Sequence, residues 1–153
     1  MKKIYFIFSL CLVSFVSLAE SPDTGEEIQF CYDGSKRAEN SVTPAGCMEA
    51  KREAAEKAMQ SQLNKLKEHI RKNFDDPYHL NDEDGETIAR VFLQHLSASQ
   101  NAWIKSRDDL CLAAVSLMGE WASSRNVAMS QCIINLNKSR IDELESYFLT
   151  GNN

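Results

Sequence analysis

The segment from Gln100 to Leu144 constrains this chain most. It reads Gln100, Trp103, Arg107, Asp108, Cys111, and then Cys132, Arg140, Leu144. On a helix, residues three or four apart share a face, so Gln100, Trp103, Arg107 and Cys111 form one stripe, and Cys132, Leu136, Arg140 and Leu144 form another. Between the cysteines lie Gly119 and the Ser123-Ser124 pair, suitable residues for stopping one helix and starting the next. The pattern predicts an antiparallel helical hairpin with the two thiols level across it.

The opening of the chain has a different character. Met1-Lys2-Lys3 precedes an apolar run from Ile4 to Leu18, which ends in Ser17-Leu18-Ala19 ahead of Glu20. A cationic start, an apolar middle and a small-residue end are the three parts of a secretory signal peptide, predicting cleavage after Ala19 and a periplasmic or secreted protein. The run is too short to span a bilayer. Cys11 lies inside the run behind Leu10, where a lipoprotein site needs a small residue.

Removal of residues 1–19 from a chain of 153 leaves enough for one compact domain. It also leaves four cysteines, Cys31, Cys47, Cys111 and Cys132, an even set in an exported chain and so a candidate pair of disulfides. Four cysteines allow three connectivities. Cys31 with Cys47 and Cys111 with Cys132 is favoured, because each closes a local loop and the second matches the hairpin. Each such loop stabilises the fold by roughly 3 kcal/mol in the chain-entropy description. Loss of Lys2 and Lys3 with the leader takes the formal charge from −5 to −7. That balance argues against nucleic acid or an anionic membrane surface as partner, since both require clustered cations, and favours a basic protein.

Residues 20–43 are polar, carry Pro22, Gly25 and Gly34, and show no sustained period, so they are read as an extended N-terminal arm. Residues 44–150 form the helical domain. Met48, Ala55, Met59, Leu63, Leu66 and Ile70 recur at helical spacing behind Thr43-Pro44, a candidate N-cap with proline in the first turn, and this helix should end near Asn73. A second stripe runs through Ile88, Phe92, Leu96, Ser99, Trp103, Leu110, Ala114 and Leu117, with Arg107 completing it. A third helix from about Ser124 turns Ile133, Leu136, Ile141, Leu144 and Phe148 inward. With no strand alternation, the fold class is all-α: a disulfide-stapled bundle of three main helices with an irregular N-terminal arm.

The stretch from Leu93 to Leu144 resembles the LprI-type lysozyme inhibitor domain family of small exported bacterial proteins. That family's pattern is Q-x-x-W-x-x-x-R-D-x-x-C, a variable turn, then C-x-x-x-x-T-x-x-R-x-x-x-L. Gln100, Trp103, Arg107, Asp108 and Cys111 match the first part, and Cys132, Arg140 and Leu144 the second. An earlier element, Leu-Asn followed by a tyrosine, meets Leu63-Asn64, with Cys47 upstream as the preceding cysteine. Two positions depart: Lys67 stands in place of the tyrosine and Asn137 in place of the threonine. The resemblance implies the helical fold and an inhibitor of lysozyme.

The motif residues themselves read as structural. Trp103 sits on an apolar stripe, where its indole N–H needs an acceptor that Gln100, one turn earlier, can supply. Arg107 shares that stripe and requires pairing, with Asp142, Glu143 or Asp108 as acceptors, and Arg140 plays the matching part from the third helix. No catalytic set emerges. His69, His79 and His95 are scattered without metal-ligand spacing. Asp82, Asp84 and Gly85 fit three positions of a calcium loop, but Leu80 and Val91 occupy the two end positions that need carboxylates. There is no G-x-S-x-G elbow or C-x-x-C pair, and adjacent acids such as Asp108-Asp109 point apart on a helix. The chain therefore reads as a binding protein, not an enzyme, with no cofactor or metal.

The binding surface is placed in the connection from Phe74 to Glu86. It carries Asp75, Asp76, Asp82, Glu83, Asp84 and Glu86 without a lysine or arginine, with Tyr78 and His79 among them. Such a patch suits the cationic rim of a lysozyme, whose cleft the protein would occlude. The alternative is a periplasmic interaction module with a different envelope partner.

Overall fold

The computed structural model describes residues 24–37 and 43–150, apart from the side chains of residues 36, 37 and 148–150. The leader, its cleavage point and the Phe148 side chain lie outside the described residues. Four helices follow one another: α1 (Glu26–Arg37), α2 (Pro44–Asn73), α3 (Ile88–Ser116) and α4 (Arg125–Thr150). Among the described residues there is no strand, only an isolated bridge between Pro77 and Thr87. No described helix is long and apolar enough to cross a membrane.

The ends of α2 follow from the local sequence. Thr43 takes an extended conformation and its hydroxyl accepts a hydrogen bond from the Gly46 N–H at 3.1 Å, satisfying one of the donors a helix start leaves unpaired. Pro44 costs nothing there because the first turn has no use for its missing N–H. Arg71 and Lys72 occupy the last turn, where the helix dipole favours cations. Thr87 repeats the cap at α3, accepting from the Arg90 N–H at 3.2 Å. The helices α2 and α4 run parallel and share the largest contact, while α3 lies antiparallel to both.

Both favoured disulfides are present, Cys31–Cys47 and Cys111–Cys132, each with Cα atoms 5.6 Å apart. The second joins α3 to α4 as the hairpin spacing requires. The first ties down a helix where an extended arm was expected, so the bundle has four helices rather than three. Among the described side chains of residues 26–35, Ile28 and Cys31 pack in the core group, too few for a periodic signal. A helix of 12 residues is marginal alone, and α1 is held by contacts more than a hundred positions away. Gln131 accepts from the Ile28 N–H at 3.2 Å and donates to Glu27 at 2.8 Å, Asn135 donates to the Thr24 carbonyl at 2.7 Å, and Lys138 pairs with Glu27. A Cβ on Gly25 would lie 2.2 Å from the Gln131 amide, so glycine there is what lets Gln131 reach α1.

The apolar core falls into three groups. Leu63, Leu66, Ile70, Ala89, Leu96 and Leu144 pack near the α2–α3 connection, Cys31, Met48, Val127 and Ile134 pack beneath α1, and Cys111, Cys132 and Ile133 pack around the second disulfide. The stripe assigned to α3 needs one correction. Its buried face is Ala89, Leu96, Gln100, Arg107, Cys111 and Val115, whereas Leu110 and Leu117 are 52% and 90% exposed. At 100° per residue, a face fixed by Gln100, Arg107 and Cys111 turns Leu110 and Leu117 well away from the core.

Two outcomes test how α1 is attached. Replacing Cys31 and Cys47 by serine should lower the unfolding free energy by about 3 kcal/mol in urea titrations while leaving the α2–α4 helicity in place. Burial alone would raise the Glu27 carboxyl, but bonds from Lys138 and Gln131 outweigh it and hold the group below its ordinary value of 4.5. A depressed folded value makes Glu27 stabilising above pH 4.5, and that contribution is lost as pH falls through the folded value. Glu27→Gln should therefore flatten this part of the acid limb of a stability–pH curve.

Candidate functional site

Between the core groups lies a buried polar layer made by the motif residues. The Arg107 guanidinium donates from Nε to Asp108 Oδ1 at 2.8 Å and from Nη1 to Asn137 Oδ1 at 2.9 Å, and its Nη2 stands 2.7 Å from Asp108 and 3.7 Å from Glu56. Arg140 donates from Nε to Gln100 Oε1 at 3.1 Å and pairs with Glu143 at 2.6 Å. Trp103 is half-buried, with the two guanidinium carbons 5.4 and 5.5 Å from its ring. Both arginines are buried, and each charge is compensated by a carboxylate on the layer's rim and by neutral amides within it.

Several expectations land here. Asp108 does pair with Arg107, whereas Glu143 serves Arg140 instead. Gln100 does not receive the Trp103 indole; its oxygen is taken by Arg140, and its amide nitrogen lies 3.3 Å from the Met59 sulfur. Glu56 and Asn137 were missed as Arg107 partners because one comes from a separate helix and the other was visible only as a departure from the family's threonine. Leu144 is fully buried in the first core group.

Asn137 shows what that departure costs. Its oxygen is satisfied, but its Nδ2 is buried without a hydrogen-bond partner. A threonine hydroxyl can accept from Arg107 and donate to the carbonyl one turn back, leaving no orphan donor.

The acidic connection is a laced projection from one end of the bundle. The Tyr78 N–H donates to the Glu86 carbonyl at 2.7 Å, Ile88 to Asp76 at 3.0 Å and Ala89 to Phe74 at 2.8 Å, closing its neck. At its tip Asp82 donates to His79 and Gly85 to Asp82, and Asn81 adopts φ 63°, a left-handed value that asparagine tolerates. Asp75, Asp76, Asp82, Glu83 and Asp84 are exposed, while Glu86 is half-buried and faces Arg90 at 3.6 Å. The Tyr78 and His79 rings meet edge to face at 5.0 Å. Leu80, which sequence reasoning passed over, is 93% exposed at the tip beside Tyr78 at 51%. An isolated leucine in a polar loop has no periodicity to mark it.

Among the described residues, no group of three or more His, Cys, Asp or Glu side chains is placed to hold a metal ion. One depression of about 390 Å³ borders the polar layer and is lined by Glu53, Glu56, Met59, Ile104 and Arg107, but its two carboxylates come from a single face of α2 and Glu56 is engaged by Arg52 and Arg107. Arg107 and Arg140 thus lock the interior while other charges stand on helix surfaces and on the acidic projection, in a small disulfide-stapled helical protein.

Residues 31–144 match the family model described as lysozyme inhibitor LprI, and the chain belongs to that family. The matched span begins at Cys31, in α1, and ends at Leu144, so it takes in both disulfides and the whole polar layer. No curated protein and no solved structure matches the chain.

The polar layer makes a paired prediction for chemical denaturation. Arg107→Ala, which strands Asn137, should lower stability by about 3 kcal/mol. Asn137→Thr should raise it by about 1 kcal/mol, and a fall would mean that the volume of the asparagine matters more than its orphan donor.

Proposed function

We propose that this chain is an exported inhibitor that blocks a lysozyme by occluding its polysaccharide-binding cleft. Membership of the LprI family carries the reading. Two disulfides support it, since they persist in oxidising compartments outside the cytoplasm, as does the leader read in residues 1–19. In this account the protein is not an enzyme, and its partner is a basic protein.

The contact surface proposed is the projection that carries Asp75, Asp76, Tyr78, His79, Asp82, Glu83, Asp84 and Glu86. Its chemistry suits a cationic rim: exposed carboxylates alternate along the loop with the exposed apolar side chains of Tyr78 and Leu80. An apolar anchor within a polar border is the arrangement that concentrates binding energy in interfaces. The loop's own hydrogen bonds hold it in one shape, which reduces the entropy lost on docking. The carboxylates act mainly on the encounter, raising the association rate and losing influence as salt screens them.

A lysis assay with the cleaved, oxidised protein against several lysozyme types tests the activity, and the expected result is inhibition at micromolar protein with a complex on gel filtration. Absence of both would leave the alternative partner, another envelope protein, as the reading to pursue. Asp82→Asn, Glu83→Gln and Asp84→Asn together should slow association by about tenfold at low ionic strength and by much less at high salt, as read by stopped-flow or surface binding.

A further inference from the structure

Leu110, Leu117 and Trp121 are large apolar side chains exposed along one side of α3 and the turn after it, while Leu112, 53% exposed, points to a different side of the helix. Leu110 and Leu117 are two turns apart on one face, and Trp121, 89% exposed, follows in the turn to α4. Ala113 lies between the two leucines, and toward the N-terminus of α3 the face continues through Ser106, Ala102, Ser99 and His95, all exposed. Trp121 is held in place: its ring packs over Gly119, where φ is +78° and a Cβ would lie 2.9 Å from ring carbons. Arg125 secures the turn by donating to the Val115 carbonyl at 2.8 Å.

We infer that this face is the contact between two copies of the chain, packed α3 against α3 in antiparallel order. The face is self-complementary in that order. About a two-fold axis at Asp108, Leu110 of one copy falls opposite Ser106 of the other, and Leu117 opposite Ser99, so each leucine meets a serine, while Trp121 falls level with His95. Lys105 and Asp109 lie one turn apart on the flank of the face, paired within their own helix. The same rotation brings Lys105 of each copy beside Asp109 of the other, the reciprocal pairing that a two-fold contact requires. Charge also selects the order. With the axis at Asp108, α3 begins 20 positions away in each copy, so the two acidic connections stand roughly 60 Å apart, several Debye lengths in physiological salt. A parallel pair would set them side by side.

The available area sets the strength. Trp121 contributes about 200 Å². With two leucines and the small residues between them, the face does not exceed the roughly 800 Å² per partner of a standard interface, which fits a dimer that forms and dissociates with concentration. Both acidic projections remain free, so the dimer is bivalent toward any partner they bind.

Sedimentation equilibrium of the oxidised protein, from micromolar to millimolar concentration, tests this directly. A monomer–dimer equilibrium is expected, with helix content by circular dichroism unchanged in every variant. Ala102→Glu and, separately, Lys105→Asp should each weaken dimerisation by about tenfold or more. Adding Asp109→Lys to Lys105→Asp should restore it, because the exchanged charges meet again across the two-fold. A monomer throughout the range, association that ignores Ala102→Glu, or failure of the double exchange to restore dimerisation would each overturn the assignment. So would association abolished only by substitutions in the acidic connection.

Discussion

Arg107 and Arg140 face inward across the bundle, and the rest of the structure is arranged so that they can. A guanidinium removed from water costs several kcal/mol unless its donors are met, and here Asp108, Glu56 and Asn137 meet one while Gln100 and Glu143 meet the other. These partners come from three helices, so the network is complete in one register only. Sliding α3 against α4 by a turn would strand a buried charge. The Cys111–Cys132 bond holds the same two helices level, and Trp103 fills the space between the cations. The network and the disulfide thus specify one alignment by different physics, one through polar satisfaction and the other through covalent closure.

The motif residues are thus engaged mainly with one another: Arg107 with Asp108, Arg140 with Gln100, and both guanidinium groups with the Trp103 ring. They identify the family because they build its frame. Residues free to meet a partner are elsewhere, at the two ends of α3: the acidic projection before it and the apolar turn after it.

Much of the frame was legible in the sequence. The Thr43-Pro44 start, the end near Asn73, the hairpin and both cysteine pairs follow from local rules, namely capping, periodicity and short loop closure, and each appears in the structure. The helix α1 was not legible, because its stability is tertiary: Gln131, Asn135 and Lys138 hold it from the far end of the chain. Leu110 and Leu117 were misplaced for a related reason, since a broad apolar stripe does not reveal where its centre lies until polar residues such as Gln100 and Arg107 are known to face inward. In the acidic connection the charges were visible, but the exposure of Leu80, the lacing of the neck and the Glu86–Arg90 pair depend on three-dimensional closure.

The motif thus makes the frame and, in the function proposed, the projection makes the contact, a division of labour. Amide and indole resonances of the isotopically labelled protein, followed by NMR while an inhibited lysozyme is titrated in, test it most directly. Shifts and broadening are expected to concentrate from Asp75 to Glu86, with the Trp103 indole N–H unmoved. Perturbation centred on Trp103, Arg107 and Arg140, with the projection unaffected, would contradict it.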